Sequence, residues 1–207
     1  CGHNLQIAGM LGAALGLQLS GVLEFLDGNV VAIAVPAEEF IEIEHRQKLK
    51  EDGKIRFYCG KQELIHLGIF DNIDMSLMFH SLKDTPDERI AVCTTSNGFL
   101  AKTVKYSGIA AHAAESPECG INALDAALIG LAGVNAIRGT FLERDNIRVQ
   151  YIINKGGDVA NTIPSNVEIE ILVRGSSIRA MRETSEKIDR ALLGGAHALG
   201  AGITIDT

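Results

Sequence analysis

The apolar run at residues 29–35, Asn-Val-Val-Ala-Ile-Ala-Val, is closed by Pro36 and followed almost at once by Glu38 and Glu39. A continuous, β-branched run without polar alternation suits a strand buried on both faces, as in a parallel sheet covered by helices. Proline cannot donate to the ladder and ends it. A second run of this kind, residues 73–79, ends at His80. Before the first run, residues 5–19 carry Leu, Ile, Met and Ala on a wide face with small residues between them, the pattern of a helix packed closely on a sheet. Residues 61–69 read as a shorter helix before the second run, and residues 41–57 are polar, charged and undecided. Helix, strand, helix, strand is an α/β pattern.

The pattern changes beyond the charged connection at residues 83–89. Strands are expected at 99–106, 147–153, 167–173 and 203–206, with an amphipathic helix at 121–141 and a second, more charged helix at 177–199. This order, β-α-β-β-α-β, is that of a ferredoxin-like sandwich. A boundary near residue 95 divides the chain into domains at 1–95 and 96–207.

With 207 residues, 46% of them hydrophobic, the chain can bury a substantial core. Its net charge of -7 and lack of any Lys/Arg block argue against nucleic acid and anionic membrane surfaces as partners. Its apolar runs fall short of the ~18 residues of a spanning helix. The four cysteines, Cys1, Cys59, Cys93 and Cys119, are widely spaced and form no CxxC pair. That favours a reducing, cytoplasmic location over a disulfide scaffold. The chain starts at Cys1 instead of Met, as expected of a piece of a longer polypeptide.

In Cys1-Gly2-His3 a thiolate and an imidazole flank a glycine that lets the backbone turn, so both can face one ion. Glu38 and Glu39, adjacent at a strand end, point in different directions. One can coordinate while the other carries a proton. His80 has the same context. Outside these clusters, His45, His66 and His197 are read as incidental surface residues. In the second domain His112 lies in a loop of small residues that permits close approach to a ligand, and Asn161 precedes Thr162-Ile163-Pro164. Arg174 ends an apolar strand, where a guanidinium can grip a carboxylate with two parallel hydrogen bonds. Gly156-Gly157 is a turn signal, too short for a phosphate loop.

Cys1-Gly2-His3-Asn4, Pro36-Ala37-Glu38-Glu39, His80, the loop around His112, Asn161 to Pro164 and Arg174 resemble, in order and spacing, the motifs of the dinuclear-metal amidohydrolase and peptidase family. That family includes auxin-conjugate hydrolases, aminobenzoyl-glutamate hydrolases, aminoacylases and dipeptidases. Residues 113–127 look most like the aminobenzoyl-glutamate hydrolase and dipeptidase branch. The resemblance implies part of a zinc-peptidase-like α/β catalytic domain followed by a ferredoxin-like lid and dimerisation domain. It implies two divalent ions, Zn or Mn, held by Cys1, His3, Glu39 and His80, with Cys1 a candidate bridge. Glu38 would be the general base, His112 the oxyanion stabiliser, often reaching into a partner's site, and Asn161 and Arg174 the holders of a substrate carboxylate. Further catalytic segments, with a last histidine ligand, are expected on either side of this stretch.

The expected activity is therefore hydrolysis of an amide or peptide bond in an N-acyl amino acid, an aminobenzoyl-glutamate-like compound or a dipeptide. It would be carried out by a homodimer formed through residues 96–207. The competing expectation is a non-catalytic oligomerisation or binding module, which would have no need of near-stoichiometric metal.

Overall fold

The computed structural model describes residues 2–39, 41–81, 90, 92 and 94–207. The chain forms two compact units, Cys1–Arg89 and Ile90–Thr207.

In the first unit, helix α1 (His3–Leu19) springs from Gly2, whose φ of 73° lies in the left-handed region open to glycine. The Gly2 carbonyl accepts from the Leu5 and Gln6 amides, which seals the first turn. Two short helices follow, α2 (Ile43–Glu51) and α3 (Gly60–His66). Gly60 meets the Pro36 carbonyl where a Cβ would collide, and its amide donates to the Ala37 carbonyl at 3.1 Å. The missing side chain thus lets α3 dock directly beneath the Pro36 to Glu39 turn.

The strands expected at 29–35 and 73–79 do not form a ladder among the described residues. Both segments are irregular and largely exposed, with Met75 89% and Leu77 98% accessible. The physical reason is that a parallel strand has no hydrogen-bond partner of its own, and these two segments do not pair with each other. Helix α1 likewise buries none of its residues, so the sheet expected beneath it is absent among the described residues.

The second unit follows the expected order. Its elements are β1 (Gly98–Ser107), α4 (Ala123–Ala136), β2 (Arg148–Lys155), β3 (Asn166–Gly175), α5 (Ile178–Leu199) and β4 (Gly202–Asp206). The four strands make one antiparallel sheet in the order β2-β3-β1-β4, with both helices packed on one face. Alternation sets that face: Val167, Ile169, Ile171 and Val173 of β3 and Val104 and Tyr106 of β1 are buried. Across the layer, Ala126, Leu131 and Val134 of α4 and Ile188 and Leu192 of α5 complete the core.

Helix α4 is shorter than the 121–141 expected. Asn122 caps its start, accepting from the Leu124 and Asp125 amides, and a 3-10 turn at Ile137–Thr140 ends it. Ser177 caps α5 by accepting from the Ala180 amide, and Gly200, with φ 71°, closes it. The helices cross where Gly195 meets the backbone of Ala126 and Gly130, a contact too close for any side chain.

Candidate metal centre

The first unit gathers three residues from separate stretches of sequence. His3 opens α1, and Glu38 and Glu39 lie on the turn after Pro36. Their donor atoms all fall within 4.8 Å of one another. Each carboxylate addresses a different ring nitrogen: Glu38 Oε2 is 3.4 Å from Nε2 of His3, and Glu39 Oε1 is 3.6 Å from Nδ1. The three side chains are roughly two-fifths exposed, open enough for an ion or substrate to enter.

The turn that presents the carboxylates is held from below. Ala37 adopts a left-handed φ of 52°, a conformation that costs a non-glycine residue about 1–2 kcal/mol. It persists because its carbonyl is tied to α3 and the Glu39 carbonyl is tied to α2. Arg46 of α2, only 6% exposed, donates through Nη1 to the Glu39 carbonyl at 2.5 Å and to the Tyr58 carbonyl at 2.9 Å. Lys61 of α3 pairs with Glu38 Oε1 at 3.2 Å. Glu63 accepts from the Arg56 and Phe57 amides at 2.9 and 2.8 Å, and these two bonds hold its carboxyl below the usual range. Burial pushes the Cys59 thiol up, against the nearby Arg46 charge, so it stays protonated at neutral pH beside the turn.

His80 lies outside this group but packs beside His3. The Phe79 ring lies over Gly9 of α1, where a Cβ would strike it, and Ser81 sits equally close to Gly2. The His80 ring therefore stands edge-on to His3, with centroids 6.2 Å apart at 89°. Its Nδ1 lies 2.6 Å from the Ser81 carbonyl, and a carbonyl can only accept. Nδ1 is therefore the donor in this contact, and Nε2 is the ring nitrogen left for a ligand. An imidazole flanked by two carboxylates is a donor set suited to a divalent cation. A cation there would also relieve the repulsion between the carboxylates. Cys1 lies outside the described residues.

In the second unit His112 and Asn161 sit on two loops zipped together. Gly108 donates to the Ser165 carbonyl, Ile163 to Ala111 and Ala113 to Asn161, with a bridge between His112 and Thr162. Nδ1 of His112 accepts from the Ala114 and Glu115 amides at 3.2 and 3.1 Å. That fixes the tautomer: the ring proton is on Nε2, an exposed donor. Arg174 is not in this group. It lies near the far end of β3, eight residues beyond Asn166, a distance of roughly 27 Å at ~3.4 Å per residue.

Arg46 and Lys61 were not singled out by the sequence. Nothing marks Arg46 as the buried cation among Lys48, Lys50 and its other charged neighbours, and only the fold selects it. Among the described residues no helix is long and apolar enough to cross a membrane.

No family model matches the chain. It is 33% identical over 208 residues to the Xaa-Arg dipeptidase of Mus musculus, a match that covers 100% of the chain and 42% of that protein. It is 27% identical over 206 residues to one of the p-aminobenzoyl-glutamate hydrolase subunits of Escherichia coli, covering 95% of the chain and 36% of that protein. Among solved structures, an aminobenzoyl-glutamate utilization protein from Klebsiella pneumoniae superimposes with a TM-score of 0.47 at 28% identity, over 52% of this chain and 27% of that one. The chain thus spans about two-fifths of the length of the curated relatives it matches. Over that span it is a relative of dipeptidases and p-aminobenzoyl-glutamate hydrolase subunits, in keeping with the amidohydrolase and peptidase family its motifs resemble.

Proposed function

We propose that this chain carries part of the machinery of a divalent-metal amide hydrolase acting on an N-acyl amino acid, an aminobenzoyl-glutamate-like compound or a dipeptide. The observation that carries the reading is the convergence of His3, Glu38 and Glu39, with the His80 ring edge-on to that of His3 at 6.2 Å. His3, Glu39 and His80, with Cys1, would hold the ions, two in number and Zn or Mn in kind. Bound there, they would supply Lewis acidity toward the scissile carbonyl and the attacking water.

The remaining chemistry falls to side chains. Glu38, its second oxygen engaged by Lys61, takes the proton of the attacking water and returns it to the leaving amine. His112 supplies an Nε2–H donor to the oxyanion, an assignment supported by the two amides that occupy its Nδ1. Asn161 and Arg174 hold the substrate carboxylate. A single dipeptide-sized molecule cannot touch both ends of β3, so their separation supports a site completed by a second copy of the chain. In that arrangement His112 and Asn161 serve the partner's site, and residues 96–207 form the homodimer contact. The free thiols Cys59 and Cys119 suit a reducing cytoplasm.

Glu38→Gln tests the reading. Turnover of N-acyl amino acids and dipeptides should fall by at least about a hundredfold while metal content stays near wild type. Undiminished hydrolysis would remove the proposed base.

A further inference from the structure

Glu38 and Glu39 reach His3 almost symmetrically. Each places one carboxylate oxygen beside a ring nitrogen, at 3.4 Å from Nε2 for Glu38 and 3.6 Å from Nδ1 for Glu39, and their side chains are 43% and 40% exposed. Neither distance nor exposure gives the two carboxylates different roles. The ring forces a choice all the same. A neutral imidazole donates from one nitrogen and accepts at the other, so it offers a lone pair to a cation on one side only.

The asymmetry comes from α3. Gly60 docks against the turn, its amide donating to the Ala37 carbonyl at 3.1 Å. The next residue, Lys61, donates from Nζ to Oε1 of Glu38 at 3.2 Å, across 23 residues of sequence. Among the described residues the Glu39 carboxylate pairs with His3 alone, while Arg46 takes the Glu39 backbone carbonyl. One carboxylate of the pair thus carries an ammonium partner and the other does not. An oxygen already engaged by an ammonium is a poorer donor to a divalent cation, which would also meet a like charge there.

We propose that Lys61 is a positioning residue that divides the pair: it holds Glu38 out of the metal's donor set, so that the cation binds on the Glu39 side of His3 and Glu38 stays free. The inference rests on the reading of Glu39 as ligand and Glu38 as base, and adds what makes two adjacent, equally exposed carboxylates unequal. Without Lys61 both sides of the ring are open to the cation. Glu38 then becomes a further ligand, and the metal is held more tightly at the expense of the base.

The test is Zn and Mn affinity of the full chain by chelator competition, in wild type, Lys61→Met, Lys61→Arg, Glu38→Gln and the Lys61→Met/Glu38→Gln double variant. Lys61 is exposed enough for its replacement to leave the fold intact, which circular dichroism checks. Lys61→Met should bind metal at least about threefold more tightly, the scale set by losing one exposed ion pair. Lys61→Arg should stay at the wild-type value. In the Glu38→Gln background Lys61→Met should bring no gain, because the carboxylate it would release is gone. Unchanged or weaker binding in Lys61→Met, an equal gain in Lys61→Arg, or the same gain in the Glu38→Gln background as outside it overturns the role of Lys61. A wild type that binds neither metal overturns the site reading on which it rests.

Discussion

Arg46 holds Glu39 by its backbone: the buried guanidinium donates to the Glu39 carbonyl at 2.5 Å and leaves the carboxylate free to face His3. Outer contacts of this kind tune a metal site without touching the ion. Arg46→Met is therefore expected to weaken divalent-metal binding by about 10–100-fold while every proposed ligand stays in place. A chelator competition titration reads this directly, and an unchanged affinity would assign Arg46 to packing alone.

Glu63 makes the same platform sensitive to acid. Its folded pKa is depressed from the ordinary 4.5 by the Phe57 and Arg56 amides. The contribution to stability is present above the ordinary value and is lost as pH falls through the folded one. Protection of the Arg56 and Phe57 amides from exchange, taken relative to their intrinsic rates at each pH, should fall as pH drops below 4.5 in the wild type. In Glu63→Gln this acid response should be gone.

The second unit has an alkaline counterpart. Tyr106 is buried and donates to the Leu192 carbonyl at 2.8 Å, and burial pushes its hydroxyl well above its ordinary value of 10.0. A raised folded pKa gives stability that is complete below the unfolded value and disappears as pH rises toward the folded one. Tyr106→Phe should cost about 1 kcal/mol at neutral pH through the lost hydrogen bond. Urea melts above pH ~10 should show the gap between variant and wild type closing. A constant gap would mean that the hydroxyl does not titrate out of the fold.

Gly195 sets the spacing of the two helices. A Cβ there would run into the Ala126 carbonyl oxygen and fall 2.5 Å from the Gly130 nitrogen, backbone atoms that cannot swing aside. Gly195→Ala should destabilise the unit by about 1–3 kcal/mol by forcing α4 and α5 apart. A melting temperature equal to wild type would show that the crossing has room for a methyl group.

The ferredoxin-like unit was legible in sequence because its signals are local. The alternation of β3 from Val167 to Val173 and the apolar periodicity of α4 and α5 each act within a few residues. The first unit was legible in chemistry more than in structure. His3, Glu38 and Glu39 were singled out and their donor atoms converge, with the His80 ring edge-on to His3 but outside that group, yet the strands thought to deliver them are unpaired among the described residues. Strand identity depends on partners distant in sequence, which an apolar run by itself cannot specify. What delivers the carboxylates is the Arg46 clamp, the Gly60 contact and the strained Ala37, none of which has a sequence pattern.

Metal held by this cluster is what the hydrolase reading requires above all. Zinc and manganese content, measured by elemental analysis on wild type and on His3→Ala after dialysis, tests it most directly. Near-stoichiometric divalent metal in the wild type, lost in His3→Ala while circular dichroism is unchanged, is the predicted result. A wild type that binds no divalent metal, or a His3→Ala variant that binds as much, would contradict it.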